Sequence, residues 1–234
     1  VWEDNEDRIL TKAGRLFMVA DGMGGQDGGE IAAQSCKEIL SELFDLMRVA
    51  PEAAVGDLAD AVKVANESVY RQNIARGALN QRGPDGRPMT MGTTCSACLV
   101  VPSELGCQLV IAHVGDSRIY RLRAGVIAQL TEDHNATSFI GDRLVVHGNV
   151  LTRAVGTHPF VEVDVDVVDL EAGDVFLVCS DGLHGCVSDR AMHAVLKVHG
   201  PGQAVGELIA MALDGGGTDN ISVIAFKVDK VEGT

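Results

Sequence analysis

The chain is poor in positive charge: 19 Lys and Arg face 33 Asp and Glu, for a net charge of −14. A deficit of that size argues against non-specific nucleic-acid binding, which needs a cationic face. No apolar run approaches the roughly 20 residues of a membrane span, and no stretch reads as a signal peptide. Internal repeats, low-complexity tracts and linkers are also missing, so residues 1–234 read as one domain. Cysteine is present six times but not in a metal-binding pattern. Cys95 and Cys98 form a C-x-x-C within "MGTTCSACLVV", whose strand-like alternation sends the two side chains to opposite faces. No second pair completes a zinc site, so these are structural thiols, and a reducing, cytoplasmic setting is expected. The seven histidines show no ligand spacing either; His113, inside an apolar strand, reads as a satisfied core residue, and His134 as the support of a turn.

What the chain does have is carboxylates at the ends of apolar runs. "LFMVADGMGGQDGGE" stops a buried strand at Asp21 and then crowds five glycines into residues 22–29. "VFLVCSDGL" ends at Asp181, and "GGGTDNISVI" sets Asp219 just before another apolar run. Asp116 sits in "HVGDSR", and Asn5, Glu6 and Asp7 precede the first of these strands. Asp-Gly alone is a common turn dipeptide. Four strands apolar enough to be central would, however, bring their ends together. Crowded unpaired carboxylates raise one another's pKa and destabilise a fold. A hard cation with oxygen ligands removes that penalty, which points to magnesium or manganese. Gly22 lets the backbone approach such a cation closely. No Lys-Ser or Lys-Thr follows the glycines, so they are not a nucleotide cradle.

Residues 29–48 carry Cys36, Leu40, Leu43 and Met47 at helical spacing, and 57–74 repeat the pattern with Leu58, Val62, Ala65 and Val69. Pro51 suits the first turn of the second helix. From 92 to 131, short β-branched runs parted by turns predict an antiparallel meander. Residues 135–156 read as irregular, "FVEVDVDVVDL" as a strand with one wet face, and "DVFLVCS" as a buried strand. Two helices (190–198 and 204–213) and a last strand, "ISVIAFKV", complete the chain. Strands and helices segregate, which predicts an α+β layered domain with antiparallel sheet inside and helices outside.

The segments "NED", "LFMVADGMGG", "MGTT", "AHVGDSRIYRL", "LTEDH", "NVLTRAVG", "SDGL" and "GTDNISVI" occur in the order found in the metal-dependent serine/threonine protein phosphatases of type 2C, bacterial branch. The resemblance runs from Asn5 to Val228. It implies a four-layer α-β-β-α sandwich with two Mn or Mg ions in a cleft at one end. By residue, it implies that Asp21 bridges both ions, that the Gly22 carbonyl binds one, and that Asp181 and Asp219 bind the other. Glu6, Asp7 and Asn220 would stand just outside the ligands, holding their waters. Asp116 resembles the ligand of a weaker third ion. The implied activity is hydrolysis of phosphoserine and phosphothreonine by a metal-activated water. The implied partners are phosphorylated proteins, a Ser/Thr kinase or its substrates, met by a monomer without membrane contact.

Three positions and one segment depart from the family. Trp2 stands where an arginine usually grips the substrate phosphate, and an indole offers one donor and no charge; the substrate-binding group is therefore unknown. Arg8 is near in sequence but lies beyond the acidic pair. Gly185 replaces an aspartate of the third-ion site. The flap that usually follows "LTEDH" is short here, near 135–150, and Met23 occupies the place of a histidine found in animal members. Trp2 keeps an alternative open, a catalytically weakened relative that binds phosphoproteins as a regulatory module.

Overall fold

Strand β1 (Arg8–Lys12) turns back into β2 (Leu16–Ala20), all five of whose residues are buried. Alternation explains this. Leu16, Met18 and Ala20 face one hydrophobic cluster, Phe17 and Val19 another, so β2 is covered on both sides. The structure, a computed structural model, describes residues 5–24, 28–83, 86, 89–104, 106–140 and 143–231. Trp2 lies outside the described residues.

After the short strand β3 (Gly22–Met23), helix α1 (Gly28–Leu43) is prolonged by one 3-10 turn at Phe44–Leu46, so it stops short of the predicted 48. Pro51 does open helix α2 (Pro51–Ala75). β4 (Gly92–Thr93) pairs with β3, and β5 (Cys95–Ser103) and β6 (Gly106–Val114) form a hairpin. Then the predicted meander breaks. β7 (Arg118–Arg123) and β8 (Val126–Gln129) pair with each other but not with β6. The Gly115-Asp116-Ser117 corner, with Gly115 at φ +109°, carries the chain across to a second sheet. Local pattern cannot register such a crossing, because both sheets use the same alternation.

Residues 135–151, predicted irregular, form a hairpin of β9 (Asn135–Ile140) and β10 (Arg143–Leu151) with a register shift between His147 and Leu151. That shift breaks the period on which strand recognition depends. β11 (Asp164–Asp169) is shorter than its alternating sequence suggested, and Val165 and Val167 stay exposed, since this strand is the edge of its sheet. β12 (Val175–Cys179) is fully buried; the short helix α3 (Asp181–His184), α4 (Asp189–Val198), α5 (Pro201–Asp214) and β13 (Val223–Lys227) follow.

One sheet has the order β1-β2-β5-β6-β11 and the other β13-β12-β7-β8. Phe17, Leu109 and Ile111 of the first meet Ile119, Phe176 and Ile224 of the second, with the Phe17 and Phe226 rings stacked at 4.0 Å. α1 and α2 cover the outer face of the first sheet, α4 and α5 that of the second. This is the expected α-β-β-α sandwich. Cys95 and Cys98 do face opposite clusters, and the six cysteines are free thiols. Two buried amides on α2 were not anticipated. Asn66 accepts from the Gly156 N–H, and Asn73 donates to the Met91 and Gly156 carbonyls while accepting from the Met91 N–H. They fasten the strand-free segment after β10 beneath the helix.

Candidate metal centre

Asp21 follows β2, and a threonine pair holds its peptide. Its N–H donates to Thr94 Oγ1 (2.9 Å), and its carbonyl accepts from Thr93 Oγ1 (2.9 Å) and the Thr94 N–H (2.8 Å). "MGTT" is therefore a clamp on Asp21, a role the sequence did not disclose. Thr94 Oγ1 also meets Ser117 Oγ at 2.7 Å, and Ser96 Oγ donates to the Ser117 carbonyl, which ties the Asp116 corner to the same place.

Gly22 is needed for close approach. A Cβ there would fall 2.2 Å from the Gly29 carbonyl oxygen and 2.6 Å from that of Glu6. The first acidic segment is seated by the far end of the chain, where the Glu6 N–H donates to Asn220 Oδ1 (2.8 Å). Ser180, at the end of β12, donates its hydroxyl to Asp7 Oδ2 (2.8 Å) and accepts from the Ser222 N–H (3.0 Å). Asp7 is buried, and its other oxygen, Oδ1, has no partner; the same is true of Asp181 Oδ1. Such orphaned oxygens are rare in folded proteins and are what a hard cation or its waters would satisfy.

The carboxylates feel one another. Asp21 and Asp181 stand within reach of a shared hydrogen bond, and the Asp21 pKa is pushed well above the usual carboxylate range, first by burial and then by the charges of Asp7 and Asp181. Burial lifts Asp7 to about 6 against the opposing Ser180 bond, with Asp181 and Asp219 adding to the rise. Asp219 keeps solvent access at the rim but is raised too, by partial burial and by Asp181. Asp116, buried, is lifted to about 7 by burial, then by Asp181 and Asp133. Asp7, Asp21, Asp181 and Asp219 thus share one neighbourhood, with Asp116 joined to it through Asp181. They meet at the range of charge repulsion; among the described residues, no three His, Cys, Asp or Glu side chains are gathered tightly enough to hold an ion as they stand.

Arg8 does not reach into this cluster. Its guanidinium donates to Glu30 and Gln34 of α1 and to the Asn5 and Asp7 carbonyls, bracing the acidic segment from behind. His113 is satisfied in the core between Ser96 and the Glu132 carbonyl. His134 does more than support a turn: its N–H donates to the Gly115 carbonyl and its Nδ1 accepts from the Gly115 N–H. Its own carbonyl accepts from both the N–H and Oγ1 of Thr152, so both feet of the β9–β10 hairpin rest on one residue.

The chain matches the protein phosphatase 2C family over residues 3–220. It is 34% identical over 237 residues to the serine/threonine protein phosphatase PstP of Mycobacterium tuberculosis, covering 96% of this chain and 42% of that protein. It therefore spans less than half the length of that relative. The serine/threonine phosphatase stp of Listeria monocytogenes is 32% identical over 240 residues, covering 97% of this chain and 90% of that one. Among solved structures, the M. tuberculosis phosphatase PstP/Ppp superposes with a TM-score of 0.81 at 30% identity, over 98% of this chain and 94% of that chain. The catalytic domain of PstP in complex with two manganese ions gives 0.79 at 33% identity, over 98% and 94%. A sandwich of this topology, gathering these carboxylates at the ends of its central strands, places the chain in the protein phosphatase 2C family.

Proposed function

We propose that the chain hydrolyses phosphoserine and phosphothreonine in proteins, using two manganese or magnesium ions. The observation that carries this reading is the convergence of Asp7, Asp21, Asp181 and Asp219, with buried unpartnered oxygens on Asp7 and Asp181. Asp21, the Gly22 carbonyl, Asp181 and Asp219 would hold the ions; Glu6, Asp7 and Asn220 would order the water around them. A bound pair of hard cations supplies Lewis acidity that activates water and neutralises charge on the phosphoryl oxygens.

The chain's own groups set the conditions for that chemistry. Ser180 and Ser222 fix Asp7 so that one oxygen stays free to accept from water. The Thr93–Thr94 clamp holds Asp21 at its strand end despite repulsion from its neighbours. Covalent catalysis by cysteine is disfavoured. Cys179 is buried and its thiol is pushed up to about 12 by desolvation, so it carries no thiolate near neutral pH.

The substrates in this reading are phosphorylated proteins, a Ser/Thr kinase or its targets, met by a monomer. Free thiols fit the cytoplasm, and among the described residues no helix is long and apolar enough to cross a membrane. The test is phosphate release from a phosphothreonine peptide with manganese, with and without chelator. Turnover should require the metal and fall on the order of 10²–10³ in Asp181→Ala. A parent protein that binds the peptide but never releases phosphate would instead establish the regulatory, phosphoprotein-binding alternative.

A further inference from the structure

Among the described residues, β11 is paired along one side only, by β6. One step beyond the strand, the Leu170 N–H donates to the Cys107 carbonyl at 2.9 Å. Counting back by twos, Asp164, Asp166 and Val168 turn their backbone groups to β6, while Val165, Val167 and Asp169 turn theirs outward. The Val167 N–H agrees with this parity, because it donates to Asp166 Oδ1 (2.8 Å) and not to a neighbouring strand. A side chain thus stands in for the carbonyl that a further strand would bring. The sequence of β11, DVDVVD, contains no lysine or proline to block the edge.

The two faces of this edge differ. Val165 and Val167, 46% and 38% exposed, continue the apolar row of Val161 and Val163, and Phe160, 88% exposed, precedes that row in the chain. By alternation Asp164 and Asp166 share the opposite face with Val168, and Glu162 comes just ahead of them. Arg153 is divided between Glu162 and Asp164, whereas Asp166 has no cationic partner among the described residues. A second copy of this chain would lay the same acidic row against itself, and like charges across a strand pair repel. The net charge of −14 opposes self-pairing as well. We propose that β11 receives an extended, cationic segment of a partner protein as an added strand. Its lysines or arginines face Asp164 and Asp166, and its apolar residues lie beside Val165 and Val167. On docking, a partner carbonyl takes the Val167 N–H and Asp166 turns to the incoming cation. The claim concerns recognition and is independent of catalysis at the carboxylate cleft.

The probe is a fluorescent peptide alternating lysine with valine, titrated by anisotropy against the whole chain at low and high salt. The parent should bind it, more weakly as salt rises, with slowed amide exchange at Val165, Val167 and Asp169. Val167→Pro removes the outward N–H at an edge position where proline is tolerated, and Asp166→Lys reverses the charge. Each should weaken binding by about tenfold or more. A peptide of the same charge with proline at its central valine separates strand addition from general attraction to an acidic chain. Equal affinity for that peptide, unchanged binding in either variant, or a parent that ignores the lysine-valine peptide would each overturn the proposal. So would a parent that sediments as a dimer and becomes a monomer in Val167→Pro, since a second copy would then fill the edge. Should Val167→Pro fail to fold, as circular dichroism would show, Asp166→Lys and the proline-containing peptide decide.

Discussion

Replacing Asp7 by Asn should stabilise the metal-free protein, by an amount that grows as pH rises toward about 6 and stays constant above it. Asp7 is 4% exposed, so solvent does little to screen it. Its pKa rises from 3.8 to about 6 on folding, a difference worth about 3 kcal/mol against the folded state once the group is ionised. The sign follows from proton binding. Between 3.8 and about 6 the folded state keeps a proton that the unfolded state has released, so stability falls as pH rises through that window and the full penalty stands above it. Asparagine cannot ionise and escapes the penalty, but it places an amide where an oxygen has no partner, costing about 1 kcal/mol. The net gain at pH 8 is about 2 kcal/mol, or about 4–8 °C in Tm for a chain of this size. It should vanish near the carboxylate's ordinary pKa. His113, whose pKa burial lowers to about 4, loses stability below 6.5 in both proteins, and so cancels in the difference. The assay is thermal unfolding of parent and Asp7→Asn from pH 4.5 to 8 in chelator. With saturating manganese the order should reverse, because the parent then gains binding energy that the variant lacks. An advantage independent of pH, or a variant less stable than its parent at pH 8 in chelator, would refute the reasoning.

Three further substitutions probe the frame and the cleft. Gly22→Ala should cost about 3 kcal/mol or more, because its Cβ meets backbone at Gly29 and Glu6 that cannot swing away; an unchanged urea midpoint would contradict this. Asn73→Leu leaves the Met91 N–H and two carbonyls without partners, so the midpoint should fall by about 3 kcal/mol, whereas equal stability would mean the segment after β10 is held by something else. Trp2→Arg should lower KM for p-nitrophenyl phosphate with kcat little changed, since a guanidinium fork adds binding to the phosphate in ground and transition states alike; an unaltered KM would mean that position 2 does not face the substrate.

Much of this architecture was legible from one dimension. The two outer helices announced themselves through Cys36, Leu40 and Leu43 and through Leu58, Val62 and Val69, because helical periodicity is local. The buried strands at 16–20 and 175–179 were equally plain, and so were the aspartates that end them, since a charge closing an apolar run is visible without any fold. The ordered segments from "NED" to "GTDNISVI" carried the family.

What required three dimensions was everything resting on a partner distant in sequence. The crossing at Gly115–Ser117 sends β7 to a second sheet, and a strand carries no mark of the sheet it joins. The hairpin at 135–151 hid behind a register shift. Ser180 reaches Asp7 across 173 positions, and Asn220 reaches Glu6 across 214. The orphaned oxygens of Asp7, Asn135 and Asp181 exist only because burial removes water from one face of each group. Side-chain chemistry and period are properties of the chain, whereas desolvation and mutual charge depend on distances through space that only the packed sheets create.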